Sequence, residues 1–187
     1  MTDGVRALPL LTRHFYFLRH GETESNVRGI VAGSTDMLLT ELGHAQARAA
    51  AIKLEHRGVT EIYSSTLRRT RDTADYFAHA LGVPLTIIPE LEERRWGDLE
   101  GKPRNLRVPG VTPPGAETPE EFNNRVLEGL SKINARGAPL IVSHSGVFRV
   151  LCRTLGVAEP TEQIANAQPA HCVPPDPQHS SWRIEML

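Results

Sequence analysis

Four short apolar runs constrain this chain more than any other feature: HFYFL at 14–18, EIYS at 61–64, LTII at 85–88 and PLIVS at 139–143. Each has strand length and strand-like composition. Longer stretches with helical spacing separate them. Thr40 opens ELGHAQARAAAIKLEHR, with an alanine-rich face and Gly58 just past its end. A second helix is predicted over 67–81, closed by Gly82 and Pro84. Thr118-Pro119-Glu120-Glu121 forms a capping box with proline at the first helical position and starts a helix through FNNRVLEGLSKI. A last helix is predicted over 146–155. Strands alternating with helices predict an α/β fold, a three-layer α/β/α arrangement with a mostly parallel central sheet. Residues 21–34 read as a glycine-spotted loop and 103–119 as a Pro/Gly-rich surface loop. The stretch 169–177 holds four prolines and reads as irregular, and SWRIEML at 181–187 alternates like an edge strand. That edge is available inside the sheet or as a homodimer contact.

With 187 residues the chain has the length of one domain, 1–187. A formal net charge of −1 gives no reason to expect nucleic acid or an anionic membrane as partner. No apolar run approaches the ~20 residues that span a bilayer. The amino-terminal MTDGVRALPLLTRHFYF carries an early acid and lacks a small-residue cleavage site, so no signal peptide is expected. Cys152 and Cys172 form no metal-ligand spacing and suit a reducing cytoplasm. The basic residues are 18 Arg and 3 Lys, most of which read as a codon bias.

The residues just after each apolar run carry the chemistry. The first run leads into Arg19-His20-Gly21-Glu22, the second into Ser65 and Arg68, the third into Leu91-Glu92-Glu93-Arg94, and the fourth into His144-Ser145-Gly146. Parallel sheets bind ligands at the carboxyl ends of their strands, so two histidines, two arginines and a glutamate would meet at one edge. Guanidinium forks match phosphate oxygens, and the helix starts after Ser65 and Ser145 offer backbone donors to an anion. A neutral imidazole attacks phosphorus, a glutamate protonates a leaving alkoxide, and a cationic second histidine would stabilise charge on the equatorial oxygens. Blander readings apply elsewhere. His14, His56, His79 and His179 read as structural, Arg69 and Arg71 as solvated helix charge, and Thr70, Thr73 and Ala74 as a packing face. Cys152 reads as core, and Trp96 is equally readable as packing or pocket wall. Arg28, Arg94, Arg104 and Arg107 are candidates for a second anionic group, with Arg107 more readily a solvated loop charge. A metal centre on His20, Glu22 and His144 is disfavoured, because flanking arginines would repel a cation and no H-x-H or H-E-x-x-H spacing occurs.

The stretch Leu18-Arg19-His20-Gly21-Glu22-Thr23-Glu24-Ser25-Asn26 resembles the opening signature of the histidine phosphatase superfamily, in its phosphoglycerate mutase-like branch. Gly33, Asp36, Leu39-Thr40, Gly43 and Gln46 resemble its G-x-x-D-x-x-L-T-x-x-G-x-x-Q stretch. Residues 64–74 resemble S-S-x-L-x-R-x-x-x-T-A. Leu91-Glu92-Glu93 with Gly97, Glu100 and Gly101 resembles L-x-E-x-x-x-G-x-x-E-G, and Val142-Ser143-His144-Ser145-Gly146 resembles V-x-H-x-G. The resemblance implies a phosphoglycerate mutase-like fold and a phosphatase acting on a small phosphate monoester, with His20 as the phosphorylated nucleophile. It implies that Arg19, Arg68 and His144 hold the phosphoryl oxygens, that Asn26 adds a contact and that the proton donor falls on Glu93. Arg94, Trp96 and Ser145 are then substrate-side residues, and neither metal nor cofactor is required. The alternative is a cofactor-dependent phosphomutase. Between Gly101 and Thr118 the chain has only KPRNLRVPGVTPPGAE, without the paired arginines that grip the substrate carboxylate in such mutases, which favours the phosphatase. On this reading two imidazoles, two guanidinium groups and one carboxyl surround a single tetrahedral anion, with Arg68 turned toward both histidines.

Overall fold

A computed structural model describes residues 8–159, 161 and 163–187. Residues 1–7, on which much of the amino-terminal reading rests, lie outside the described residues. The strands are β1 (Phe15–Arg19), β2 (Val59–Ser64), β3 (Leu85–Ile87), β4 (Ala138–Ser143), β5 (Pro169–Val173) and β6 (Arg183–Met186). They form a six-stranded sheet in the order β3-β2-β4-β1-β5-β6. Neighbours among the first four strands run parallel, and β5 runs antiparallel to both β1 and β6. The helices are α1 (Glu24–Val27), α2 (Glu41–Leu54), α3 (Arg68–Leu81), α4 (Pro119–Ser131) and α5 (Ser145–Leu155).

Burial on both faces explains the uninterrupted apolar character of β1 and β4, all of whose residues are buried. Side chains alternate across the sheet. Phe15 and Phe17 join Ile141 in a core with Val126, Val147 and Leu151 from α4 and α5. Tyr16 and Leu18 join Leu140 and Val142 in a second core with Ala50, Ala51, Ala74 and Phe77 from α2 and α3. The alanine-rich face of α2 thus lets that helix lie close against its neighbours. The α/β/α layering expected from the sequence is present.

Three local readings need correction. Residues 169–173 are not irregular but form β5: Pro169 occupies the first strand position, where a missing N–H is tolerated, and Ala170 and Cys172 are fully buried. The loop 21–34 contains the one-turn α1, nucleated by a capping box between Thr23 and Asn26. The segment 103–119 is not simply a surface loop, since Arg104 and Arg107 line a cavity and Glu117 is buried. SWRIEML does supply an edge strand, as β6.

The register positions the site. Arg19 on β1 pairs with Ser143 on β4 and Ser64 on β2 pairs with Val142, so His20, His144 and Ser65 leave the sheet side by side. Gly21 and Gly43 let the first loop cross α2 closely. A Cβ on Gly21 would stand 2.5 Å from the Gly43 carbonyl oxygen, and one on Gly43 would stand 2.1 Å from that of Glu22.

Candidate active site

The rings of His20 and His144 lie 5.3 Å apart, centroid to centroid, at the carboxyl end of the sheet. His20 Nδ1 is 2.7 Å from the Gly21 carbonyl oxygen, to which it can only donate, so Nε2 is left as the nucleophilic lone pair. Its backbone is pinned by a bond from His20 N to Ser143 O and by Asn166 Nδ2, which donates to His20 O. Burial, reinforced by Arg69 and Arg19, lowers the His20 pKa well below the ordinary imidazole value and keeps the ring neutral. His144 Nε2 sits 2.9 Å from Ser65 Oγ, which is 2.7 Å from Thr70 Oγ1, whose hydroxyl donates to Leu67 O. That ladder of hydroxyls fixes the second ring. Burial first, then Arg69 and His20, also lower the His144 pKa. The cationic form considered from sequence is therefore disfavoured in the protein alone, and an arriving anion pushes it back up.

One guanidinium expected here is present and the other is exchanged. Arg19 is buried, donates to Ile164 O at 2.8 Å and lines the pocket with His20. Its burial lowers its pKa to about 10, partly offset by Glu93, so it stays cationic at neutral pH. Arg68, predicted to hold phosphoryl oxygens, does not reach the pocket: its side chain is 56% exposed and pairs with Asp72 at 3.4 Å. Arg69, read from sequence as a solvated helix charge, is 1% exposed and lines the pocket. It begins the inward face of α3, followed by Thr73 and Phe77 at four-residue intervals. Arg69 donates to Gly33 O at 2.7 Å and Thr35 O at 2.8 Å. Those carbonyls are held by Glu100, which accepts from the backbone N and hydroxyl of both Ser34 and Thr35. Gly33 makes this possible, since a Cβ there would stand 2.1 Å from Glu100 Oε1. Arg19 Nε and Arg69 Nε are buried without a protein partner and are available to an anion, and His144 Nδ1, also without one, can donate to an anion once the ring is protonated.

Both helix starts expected to serve an anion are engaged by carboxylates of the protein. Asp36 accepts from Arg68 N at 2.7 Å at the start of α3. Glu93 Oε2 accepts from Gly146 N at 3.0 Å and lies 3.5 Å from Ser145 Oγ at the start of α5. A Cβ at Gly146 would stand 2.0 Å from Glu93 Oε1, so a side chain there would displace that carboxyl group. Glu93 lines the same pocket as His20, whereas Glu92 turns to the Thr66 hydroxyl. Asn26 also lines the pocket; its oxygen accepts from Thr23 and Asn166, which leaves its amide hydrogens for a ligand. Among the described residues no group of three or more His, Cys, Asp or Glu is arranged to hold a metal ion. No helix among them is long and apolar enough to cross a membrane.

A second cavity of about 390 Å³ opens beside the first and shares Glu93, Arg107, Ser145 and Gln163 with it. Arg94 and Trp96 line it, so Trp96 is a pocket wall, while Arg28 lines neither cavity. Two residues supporting this region were missed from sequence, Glu117 and Arg125. The carboxylate of Glu117 takes a bidentate pair from Arg125, both bonds at 2.8 Å, and Arg125 also donates to the carbonyls of Glu90, Glu92 and Glu93. Burial alone would raise the Glu117 pKa, but these hydrogen bonds and the Arg125 charge hold it below the ordinary range. Their only sequence signal was a glutamate eight residues before an arginine across a capping box. Arg125→Met strips the buried Glu117 of its main partner and should destabilise the fold by about 3 kcal/mol. Urea unfolding checks this, and an unchanged midpoint would show that the pair is dispensable.

A family model described as histidine phosphatase superfamily (branch 1) matches residues 15–187. A Yersinia pestis protein named "Probable phosphoglycerate mutase GpmB" is 31% identical over 185 residues, covering 89% of this chain and 86% of that protein. The structure of a mycobacterial glucosyl-3-phosphoglycerate phosphatase, solved with VO3, superposes with a TM-score of 0.76 at 27% identity, over 94% of this chain and 98% of the other. A crystal structure from Thermus thermophilus gives a TM-score of 0.73 at 30% identity, over 93% and 99%.

Proposed function

Because the chain belongs to the histidine phosphatase superfamily, branch 1, we propose that it hydrolyses a small phosphate monoester through a phosphohistidine on His20. The observation that carries this is the gathering of His20, Arg19, Arg69 and Glu93 around one pocket, with His144 beside His20. The lone pair of His20 Nε2 attacks phosphorus as the ester P–O bond breaks, and Glu93 gives its proton to the leaving oxygen. Water then attacks the phosphorus, Glu93 takes the proton back, the P–N bond breaks and inorganic phosphate leaves. Arg19, Arg69, His144 and the Asn26 amide hold the three equatorial oxygens, where charge accumulates. No step needs a metal, since cationic side chains supply the charge.

Hydrolysis is favoured over isomerisation by access. A mutase must protect its phosphoenzyme from water, whereas here the reacting pocket continues into the 390 Å³ cavity through Glu93 and Ser145. The expected product is inorganic phosphate, with no isomeric ester; phosphorus NMR of the reaction distinguishes them, and accumulation of an isomer selects the mutase.

The proton-donor role has its own test. Glu93→Gln should slow hydrolysis of an alkyl phosphate by about 10²- to 10⁴-fold. It should slow 4-nitrophenyl phosphate far less, because that leaving group needs little protonation. Equal slowing of both would remove Glu93 from the role.

A further inference from the structure

We propose that the natural ester carries a second anionic group on its alcohol portion, gripped by Arg94 and Arg107 beside Trp96. The inference rests on the hydrolase reading above, because it is Glu93 that defines where the leaving group lies. Glu93 lines both cavities, so an alcohol protonated there extends into the outer one.

The outer cavity is built for charge. Among the described residues Arg94, Arg107, Arg149 and Arg153 line it together with Glu93. Glu159 pairs with both Arg149 and Arg153, so the groups that bear on a ligand are Arg94 and Arg107. Arg94 and Arg107 lie over the Trp96 ring at 4.3 and 4.1 Å from its centroid. Cation–π contact holds each side chain while leaving its edge free to donate. Arg94 Nε is engaged by Glu117 O, which orients that group, but Arg94 Nη2 and Arg107 Nε are buried without a protein partner. Buried donors of this kind are ordinarily satisfied. Two of them, on two like-charged groups around one ring, call for an anion. Burial lowers the pKa of both arginines, as expected of cations whose counter-ion the protein itself does not fully provide. Arg107 thus serves the ligand and is not a solvated loop charge.

The shared chemistry is an oxyanion, either a carboxylate or a second phosphate. The test uses monophosphates of short straight-chain alcohols ending in a methyl, a carboxylate or a phosphate, read as initial phosphate release. An anionic end is expected to raise kcat/KM at least about tenfold over the methyl end, chiefly through KM. Whether the carboxylate or the phosphate series gains more identifies the group. In Arg107→Met and, separately, Arg94→Met the ratio between anionic and methyl-ended esters should collapse toward one, whatever the absolute rates. Equal turnover of all three series by the unaltered protein, or a preference that survives both substitutions, overturns the inference. If no ester releases phosphate the hydrolase reading fails on its own. The same compounds, read as protection against thermal unfolding, then still test whether an anionic end binds better and whether Arg107→Met removes the gain.

Discussion

His20→Ala is expected to leave a folded protein whose kcat on any phosphate monoester is lower by at least about 10⁴-fold. The loss should include labelling: the unaltered protein, mixed with a radioactive phosphate ester and quenched, should carry label that is labile in acid and stable in alkali, as a phosphoimidazole is. The variant should carry none. A label stable in acid would instead place the phosphoryl group on a hydroxyl such as that of Ser145. The substitution should also change the pH dependence of stability in a way that a passive residue would not. His20 is held neutral in the folded protein by burial and by Arg69 and Arg19, and His144 by burial, Arg69 and His20. The unfolded chain takes up a proton at each imidazole below pH ~6.5. Below that value the unfolded state therefore binds more protons than the folded one, and stability falls as the pH falls. Each ring contributes a slope of up to about 1.4 kcal/mol per pH unit. Removing His20 takes away one of these uptake sites, so urea midpoints measured from pH 7 to 5 should decline less steeply in the variant. A steeper or unchanged decline would mean that His20 is protonated when folded, and a protonated imidazole has no lone pair for phosphorus.

How much of this was legible in the sequence depends on the range of the interaction. The α/β layering followed from local pattern, since buried parallel strands must be continuously apolar and each helix carried its own stop and start residues. The convergence of His20, His144 and Glu93 followed from their place just after a strand. What escaped was set by partners distant in the chain. Glu117 and Arg125 are ordinary loop and helix charges until the chain brings them beneath the carbonyls of residues 90–93. The helix starts at Arg68 and Ser145 looked free for a ligand because nothing local announces that Asp36 and Glu93 fill them. β5 was obscured by its prolines, although only Pro169 lies within the strand, and at a position where proline does no harm. Arg69 is a different case, because its position was readable. Thr73 reads as part of the packing face of that helix, and Arg69 lies four residues before it on the same side. Counted from Ser64, the arginine of S-S-x-L-x-R also falls on residue 69. A buried arginine is rare without a partner, and the partners of Arg69 are the carbonyls of Gly33 and Thr35 on another loop, which the local sequence does not announce.

That exchange gives the sharpest comparison between neighbouring residues. Arg69→Met should lower kcat/KM by about 10³-fold, the loss expected when a fixed, buried donor to developing phosphoryl charge is removed. Arg68→Met should leave kcat/KM within about twofold, because its exposed pair with Asp72, four residues on, contributes no more than a few tenths of a kcal/mol. Loop collapse does not account for the difference. With Arg69 gone, Gly33 O and Thr35 O lose their donors, but Glu100 still accepts from Ser34 N and Thr35 N, so the loop keeps its own anchor. Arg69→Lys separates charge from shape. It retains the cation but not the fork that reaches two carbonyls while presenting Nε to the pocket, so it should recover only part of the lost rate. Melting curves for all three variants would show whether any rate loss comes from unfolding. If Arg68→Met proved the damaging change and Arg69→Met the silent one, the phosphoryl group could not lie in the pocket between His20 and the start of α3, and the assignment of this edge of the sheet would have to be abandoned.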